Sequence, residues 1–173
     1  VTNPLGATTS YAYDAVGNLI AVTNALGNAT IYEYDLRGNK TYEGGATYPV
    51  RYTYDDFNVM TNMTTYRNES LQSGDTTTWL YDEPTGLLTN KVYADGKGYS
   101  CTYTVEGRLQ SKTEAGRWKE FLYNAWGELS NTIYSDGEVI CTLRDAQGRE
   151  LIETNNVASI LKWRDEFENV TNE

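Results

Sequence analysis

The sequence contains no histidine, the side chain that most hydrolases use as a general base. Its 173 residues also include only two cysteines and three prolines. Without histidine there is no Ser-His-Asp or Cys-His arrangement, and two cysteines are too few ligands for a structural zinc ion. We therefore expect no catalytic centre, no metal site and no cofactor in this stretch, and an enzyme activity would have to lie outside it.

Positive charge is scarce as well. The chain has 14 Lys and Arg against 24 Asp and Glu, a net charge of −10. This balance argues against nucleic acid, polyanions and anionic membranes as partners and leaves neutral or cationic ones. No stretch approaches the roughly 20 apolar residues of a membrane-spanning helix. Hydrophobic residues make up only 39%, which indicates a sheet with one incompletely buried face and one solvated face.

What the sequence does contain is a repeat of about 20 residues. The phrase Tyr-x-Tyr-Asp-x-x-Gly-Asn occurs at residues 11–18 and 32–39, and weaker copies follow to the end. Such internal periodicity predicts a repeat architecture, here one array over residues 1–173. The second aromatic position of the eight units is occupied by Tyr13, Tyr34, Tyr54, Tyr81, Tyr103, Tyr123, Leu143 and Trp163. The first position is occupied by Tyr11, Tyr32, Tyr52, Trp79, Cys101, Phe121, Cys141 and Leu161.

Each unit predicts two antiparallel strands and two turns. Alternation places both aromatic positions on one face of a strand. Asp-x-x-Gly is typical of a type I turn closed by a residue at positive φ, so Tyr13 should oppose Leu19. The turn carboxylate is kept at Asp14, Asp35, Asp55 and Asp82, and the turn glycine at Gly17, Gly38, Gly86, Gly107, Gly127 and Gly148. Asp145 and Asp165 come one residue late, which we interpret as bulges at Arg144 and Arg164. We expect about 16 strands and almost no helix.

The strings YAYDAVGNL, YEYDLRGNK, YTYDDFNVM, YDEPTGLL, YTVEGRL and YNAWGEL resemble the YD-repeat, or RHS-repeat, family. The resemblance implies an all-β fold: a curved, ribbon-like antiparallel sheet that forms part of a larger shell. Bacterial members commonly enclose a C-terminal toxin, and animal relatives are cell-surface adhesion receptors. Bacterial members also carry an Asp-Pro-x-Gly-like motif linked to autoproteolysis, which is absent here. The chain begins at Val1, so we expect a piece of a longer protein.

Other interpretations of individual residues are weaker. Cys101 and Cys141 share a column two units apart, on the order of 19 Å at 4.8 Å per strand, which is too far for a disulfide. Asp55 and Asp56 could be taken as a glycosidase pair, but one is the repeat turn residue and the other its solvent-facing neighbour. Turn carboxylates of successive units lie about 10 Å apart, too far to share a calcium ion. The pair Gly44–Gly45 is expected in a turn between units.

Two features suggest binding. The spacing grows to 27 residues between Tyr54 and Tyr81, and the extra residues fall in a polar segment, 66–75, which we expect to protrude as a loop. Loops carry binding more often than regular strands do, although a tolerated insertion also explains the segment. Trp118 and Trp126 lie outside the repeat columns and could stack on sugar rings. The candidate ligand-binding residues are Tyr66, Arg67, Trp118 and Trp126.

The sequence therefore favours a structural role over catalysis. The resemblance implies a non-catalytic wall segment of a large secreted or cell-surface bacterial protein, enclosing or presenting a toxin encoded elsewhere. The alternative is an adhesin or fibre module that binds glycan or protein through its loops and exposed aromatic residues. Expected partners are the rest of the parent polypeptide or neighbouring copies, joined through sheet edges, with the Trp163 strand meeting the Tyr11 strand of the next copy.

Overall fold

The computed structural model describes residues 1–4, 6–145, 147–155, 159–161, 163–164 and 170–171. These residues form strands and turns, and none of them is helical. No helix that could span a membrane is found among them. The strands are β1 Ser10–Tyr13, β2 Leu19–Thr23, β3 Ala29–Tyr34, β4 Lys40–Gly45, β5 Val50–Tyr54, β6 Met60–Tyr66, β7 Gly74–Tyr81, β8 Leu88–Val92, β9 Gly98–Tyr103, β10 Leu109–Glu114, β11 Arg117–Tyr123, β12 Leu129–Tyr134, β13 Val139–Arg144, β14 Glu150–Thr154, β15 Ser159–Leu161, β16 Trp163–Arg164 and β17 Val170–Thr171.

The strands follow chain order in the sheet. β1 to β15 form one 15-stranded sheet in which sequence neighbours are also spatial neighbours, and β16 and β17 form a separate pair. The predicted all-β, antiparallel fold is confirmed. The prediction that all strands share one sheet is wrong for the last unit, because the strand of Trp163 pairs with β17 outside the main sheet. The chain divides into two compact units, residues 1–81 with 90–97 and residues 82–89 with 98–173.

The first turn shows why the strands reverse. The Asp14 carboxylate accepts hydrogen bonds from the backbone amides of Val16 and Asn18 at 3.0 and 2.8 Å. The backbone amide of Gly17 donates to the Asp14 carbonyl at 3.2 Å, and Gly17 has a φ of 97°. Positive φ is what glycine supplies without steric cost. Asn58, at φ 64°, takes the same place in the third unit. The predicted turn chemistry is confirmed.

The cross-strand register is also as predicted. In six of the units a bulge precedes the repeat turn and puts the second aromatic position opposite the first residue of the returning strand. The observed pairs are Tyr13 with Leu19, Tyr54 with Met60, Tyr103 with Leu109 and Tyr123 with Leu129.

The seventh unit is shifted by one residue from the sequence alignment. Arg144 opposes Glu150 across the turn, as Tyr13 opposes Leu19, and Leu143 opposes Ile152 one step further along. Leu143 is 57% exposed. The interpretation of Arg144 as a bulge residue is therefore wrong, because Arg144 itself occupies the tyrosine position and Leu143 lies on the opposite face. Trp163 pairs with Thr171 and Arg164 with Val170 without a register shift, so the interpretation of Arg164 as a bulge residue is wrong as well. Asp165 and Glu168 lie outside the described residues.

Burial is slight in the part of the chain that the structure describes. Tyr42 is the only large hydrophobic residue that is buried there, and Pro49 the only fully buried side chain. In β3 and β5 the residues of the two aromatic columns are half-buried, while those between them are exposed. The sheet therefore has one partly covered aromatic face, and hydrogen bonds carry much of its cohesion.

Candidate functional site

The first candidate is a ladder of tyrosine hydroxyls that joins each of the second to sixth units to the one before it. Each hydroxyl donates to the carbonyl of the first residue in the preceding unit's returning strand. The bonds run from Tyr34 to Leu19 (3.0 Å), Tyr54 to Lys40 (2.8 Å), Tyr81 to Met60 (3.2 Å), Tyr103 to Leu88 (2.8 Å) and Tyr123 to Leu109 (2.7 Å). The second aromatic position is thus a hydrogen-bonding position as well as a packing one.

Lysine side chains lie between the rings on the aromatic face. Lys40 Nζ is 5.7 Å from the Tyr32 ring centre and 5.2 Å from that of Tyr52, so it bridges two successive units. Its ammonium group donates to Glu43 at 2.6 Å, and this bond raises the pKa of Lys40. Lys91 lies between the rings of Trp79 and Tyr93, both of its own unit. Such contacts keep the cations in place over a face that is only half buried.

The turn carboxylates are held by donors of their own turn. A hydrogen bond from the Asn39 side chain lowers the pKa of Asp35, assisted by the backbone amides of Asn39 and Arg37. Asp14, Asp55 and Asp145 accept equivalent backbone bonds. Among the described residues, no group of three or more acidic or cysteine side chains could hold a metal ion.

Successive turns also contact one another. Arg37 donates to the carbonyl of Asp56 at 2.8 Å, and the Asn39 side-chain amide donates to Asn58 at 3.0 Å. The guanidinium of Arg108 lies against Gly127, where a Cβ would collide with it. At Gly127 the missing side chain therefore serves close approach between turns as well as positive φ.

The contact made by the buried Tyr42 is not predicted by the sequence. Residues 67–73, which we call the strap, connect β6 to β7. The Glu69 carboxylate of the strap accepts hydrogen bonds from the Tyr42 hydroxyl at 2.7 Å and from the Gly45 amide at 2.8 Å. We call this three-residue arrangement the clasp. Its bonds show that the segment does not simply protrude, as was expected, but folds back to β4.

The surroundings of the clasp explain its position. Tyr42 is 8% exposed and pairs with Glu33 and Arg51, on the face opposite the aromatic columns. The Arg51 guanidinium carbon is 5.1 Å from its ring centre. Donation to Glu69, followed by burial, raises the pKa of Tyr42 to about 12. The hydrogen bond from Tyr42, followed by that from Gly45, lowers the pKa of Glu69.

Glycine makes this packing possible. A Cβ on Gly44 would overlap the Tyr42 ring, and one on Gly74 would meet Thr64 and Tyr66. Gly44 and Gly45 pair with Ile31 and Thr30 at the end of β4, so their placement in a turn between units was wrong. The pair of glycines was the only sequence signal for this site.

The four candidate ligand-binding residues divide between the two units, Tyr66 and Arg67 in the first and Trp118 and Trp126 in the second. Tyr66 ends β6, pairs with Gly74 and is half-buried. Arg67 lines a groove of about 510 Å³ beside the clasp, with Tyr48, Asn68 and Glu69. Trp118 is 41% exposed on β11, and Trp126 is 85% exposed at the tip of a repeat turn. The structure does not gather them into one site. Cys101 and Cys141 are both free, as predicted.

Comparison with known proteins identifies the repeat. Residues 13–47 match the RHS repeat family. This segment is similar to an RHS repeat. The matched segment begins within the first phrase and contains the whole of the second, at residues 32–39, and the resemblance is confirmed. No curated protein sequence matches the chain.

Solved structures share the fold of this chain. The crystal structure of TcdB2-TccC3-Cdc42 aligns with a TM-score of 0.61 at 14% identity, over 94% of this chain and 11% of that chain. TcdB2-TccC3 without its hypervariable C-terminal region gives 0.60 at 14% identity, over 94% and 11%. A Tc holotoxin pore of Photorhabdus luminescens with a TccC3 mutation gives 0.57 at 14% identity, over 94% and 11%. The chain thus spans about a ninth of those chains.

Proposed function

We propose that this chain is a non-catalytic wall segment of a large secreted bacterial RHS-repeat protein, which encloses a toxin or effector domain encoded elsewhere in the polypeptide. The tyrosine ladder carries the proposal. Five hydroxyls bond to the preceding unit in the same way, so the repeat adds units along one direction and builds a surface instead of a globular core. We take residues 1–173 as one such array.

The chemistry of the described residues supports a wall more than an enzyme. Their ionisable groups are held in turns and cross-strand pairs, and the repeat carboxylates accept bonds from their own turns. The similar Tc toxin structures share the fold over nearly the whole chain. The family resemblance then supplies the enclosed partner, and secretion follows from the same resemblance.

Protease protection in the intact parent polypeptide tests the proposal. The ladder would be broken with Tyr54→Ala and Tyr103→Ala together, and the control would be Leu36→Ala with Val105→Ala, whose side chains are fully exposed at turn tips. The proposal expects the enclosed domain to resist protease in the parent and the control and to be cleaved in the ladder variant. Equal cleavage of that domain in all three proteins would contradict enclosure.

Glycan binding by the 173-residue chain distinguishes the adhesin alternative from the wall segment. Trp126 is the most exposed of the two tryptophans outside the columns, and it lines a groove of about 760 Å³ with Leu143 and Gln147. If the chain binds to a glycan array and Trp126→Ala abolishes the binding, the result favours an adhesin over a wall segment. The wall proposal expects no glycan binding.

A further inference from the structure

The clasp has the composition of a ligand site whose ligand is part of the chain. Tyr42 and Gly45 lie on β4, and both aim a donor at one carboxylate, that of Glu69, from 27 and 24 residues away in sequence. Converging donors around a carboxylate, one hydroxyl and one backbone amide, are how proteins bind anionic ligands. The rest of the niche is prebuilt, because Tyr42 is buried and Gly44 leaves room for its ring.

The strap that supplies the carboxylate is held lightly. Residues 67–70 are all exposed. Leu71 has a φ of 53°, a conformation that bulky residues rarely adopt and that costs free energy. Strain of this kind persists only where other contacts hold the segment, and the two bonds to Glu69 are the ones that tie the strap to β4 in the part of the chain described.

Charge in the adjoining groove favours an anion once Glu69 is gone. Arg67 and Glu69 are the charged residues of the groove lining. Removing the Glu69 carboxylate would leave Arg67 as the charged residue of that lining. It would also leave the buried Tyr42 hydroxyl without its acceptor, which is costly, so the empty niche gains by taking up a carboxylate.

We propose that the Tyr42–Gly45 niche is a carboxylate-binding site, occupied in cis by Glu69 and able to take a free carboxylate when that side chain is absent. A tethered ligand has an effective concentration in the millimolar range for a short flexible link. The wild-type chain therefore keeps the site filled, and the strap acts as its resident ligand.

Acetate is the probe, and the Gly45 amide signal in NMR spectra of the full chain is the readout. Glu69→Ala should move the Gly45 amide proton upfield, since it loses its acceptor. Titration with sodium acetate should move the Gly45 signal most of the way back, and the change should saturate. Sodium chloride at equal ionic strength and neutral acetamide should not move it. The Gly27 amide, which donates to the Asn24 carbonyl at 2.9 Å, should stay in place throughout.

Two further variants control for a response to acetate that does not come from the niche. Tyr42→Phe combined with Glu69→Ala lacks the hydroxyl donor and should bind acetate at least tenfold more weakly. Glu69→Gln keeps an oxygen in the niche and should not respond to acetate. This variant also provides a folded protein for the titration if Glu69→Ala folds poorly. The proposal is overturned if acetate moves Gly45 no more than chloride does in folded Glu69→Ala, or if the double variant or wild type responds equally.

Discussion

A tyrosine hydroxyl is the single group that best explains how one repeat holds the next. Tyr103 donates to the Leu88 carbonyl at 2.8 Å, while its ring lies half-buried in the aromatic column. The ring and the hydroxyl therefore contribute separately: the ring covers neighbouring apolar surface, and the hydroxyl satisfies a carbonyl outside the regular strand pairing. Tyr13, in the first unit, is 60% exposed and covers less of the neighbouring apolar surface.

Substitutions at Tyr103 should separate these two contributions. We expect Tyr103→Phe to lower the free energy of unfolding by about 1 kcal/mol, the usual net value of a hydrogen bond. Tyr103→Ala should cost about 2–3 kcal/mol, below the 3–5 of fully buried aromatics, because the ring is only half-buried.

Urea unfolding of the two Tyr103 variants, with Tyr13→Ala as the exposed control, would measure the costs. A Tyr103→Phe variant as stable as wild type would mean that the ladder bond adds nothing to the sheet.

The clasp predicts a pH window at the same scale. The lowered pKa of Glu69 means that its contribution is complete above about pH 5 and is lost as pH falls through the folded pKa. The pKa of Tyr42 is raised to about 12, so its contribution is complete below about pH 10, the ordinary range of tyrosine, and is lost as pH rises through the folded pKa.

The window should appear in the difference in urea midpoint between wild type and Glu69→Gln, which cancels groups that titrate in both proteins. That difference should be flat from about pH 5 to 10 and shrink on either side. If it stayed constant to pH 2, the carboxylate could not be what holds the strap.

At the scale of secondary-structure elements, two kinds of connection perform different work. Most repeat turns are alike, because an Asp or Asn side chain binds the backbone amides of its own turn and a positive-φ residue closes it; in the fifth unit Thr104 takes that place. The strap, in contrast, does not follow the repeat pattern. It depends on β4 ending in Gly44 and Gly45, which let the backbone lie against Tyr42 and the strap.

Gly44→Ala should therefore disturb β4 although its backbone needs no positive φ. The added methyl group would overlap the Tyr42 ring, and overpacking of this kind costs about 1–3 kcal/mol. Combined with Tyr42→Ala, the same substitution should cost almost nothing extra, because the ring is gone.

A double-mutant cycle of Gly44 and Tyr42 measures that coupling. Additive costs in the cycle would show that the methyl group is accommodated without contact with Tyr42.

At the scale of the whole molecule, cohesion comes from neighbour-to-neighbour contacts along the sheet. The described residues bury one large hydrophobic side chain, and exposed apolar residues such as Leu36, Val105 and Trp126 sit at turn tips. A sheet of this kind leaves unpaired backbone groups on β1, where every residue is exposed. Edges of this type accept another strand.

We expect the 173-residue chain to associate through the β1 edge in a concentration-dependent manner. Its charge of −10 opposes association only weakly at physiological salt, where screening acts within about 8 Å. Light scattering across a concentration series should show growth that increases with salt, and Tyr11→Lys with Tyr13→Lys should suppress it. A strictly monomeric chain at high salt would refute an open edge.

The sequence by itself determined whatever depends on contacts within one unit. Alternation fixed which residues of a strand share a face, and Asp14 with Gly17 fixed the turn and hence the pairing of Tyr13 with Leu19. These are local constraints, written into residues a few positions apart, so the all-β repeat and its register could be predicted.

Only the tertiary structure decided what depends on contacts between distant residues. The carbonyl that receives each tyrosine hydroxyl, the separate pairing of β16 with β17, the place of Arg144 and the return of Glu69 to Tyr42 are examples. Each depends on how one strand lies against another, which residues a few positions apart do not encode. Glu69 is the clearest case: its role comes from a buried hydroxyl 27 residues earlier, on the face of β4 that the aromatic columns do not occupy.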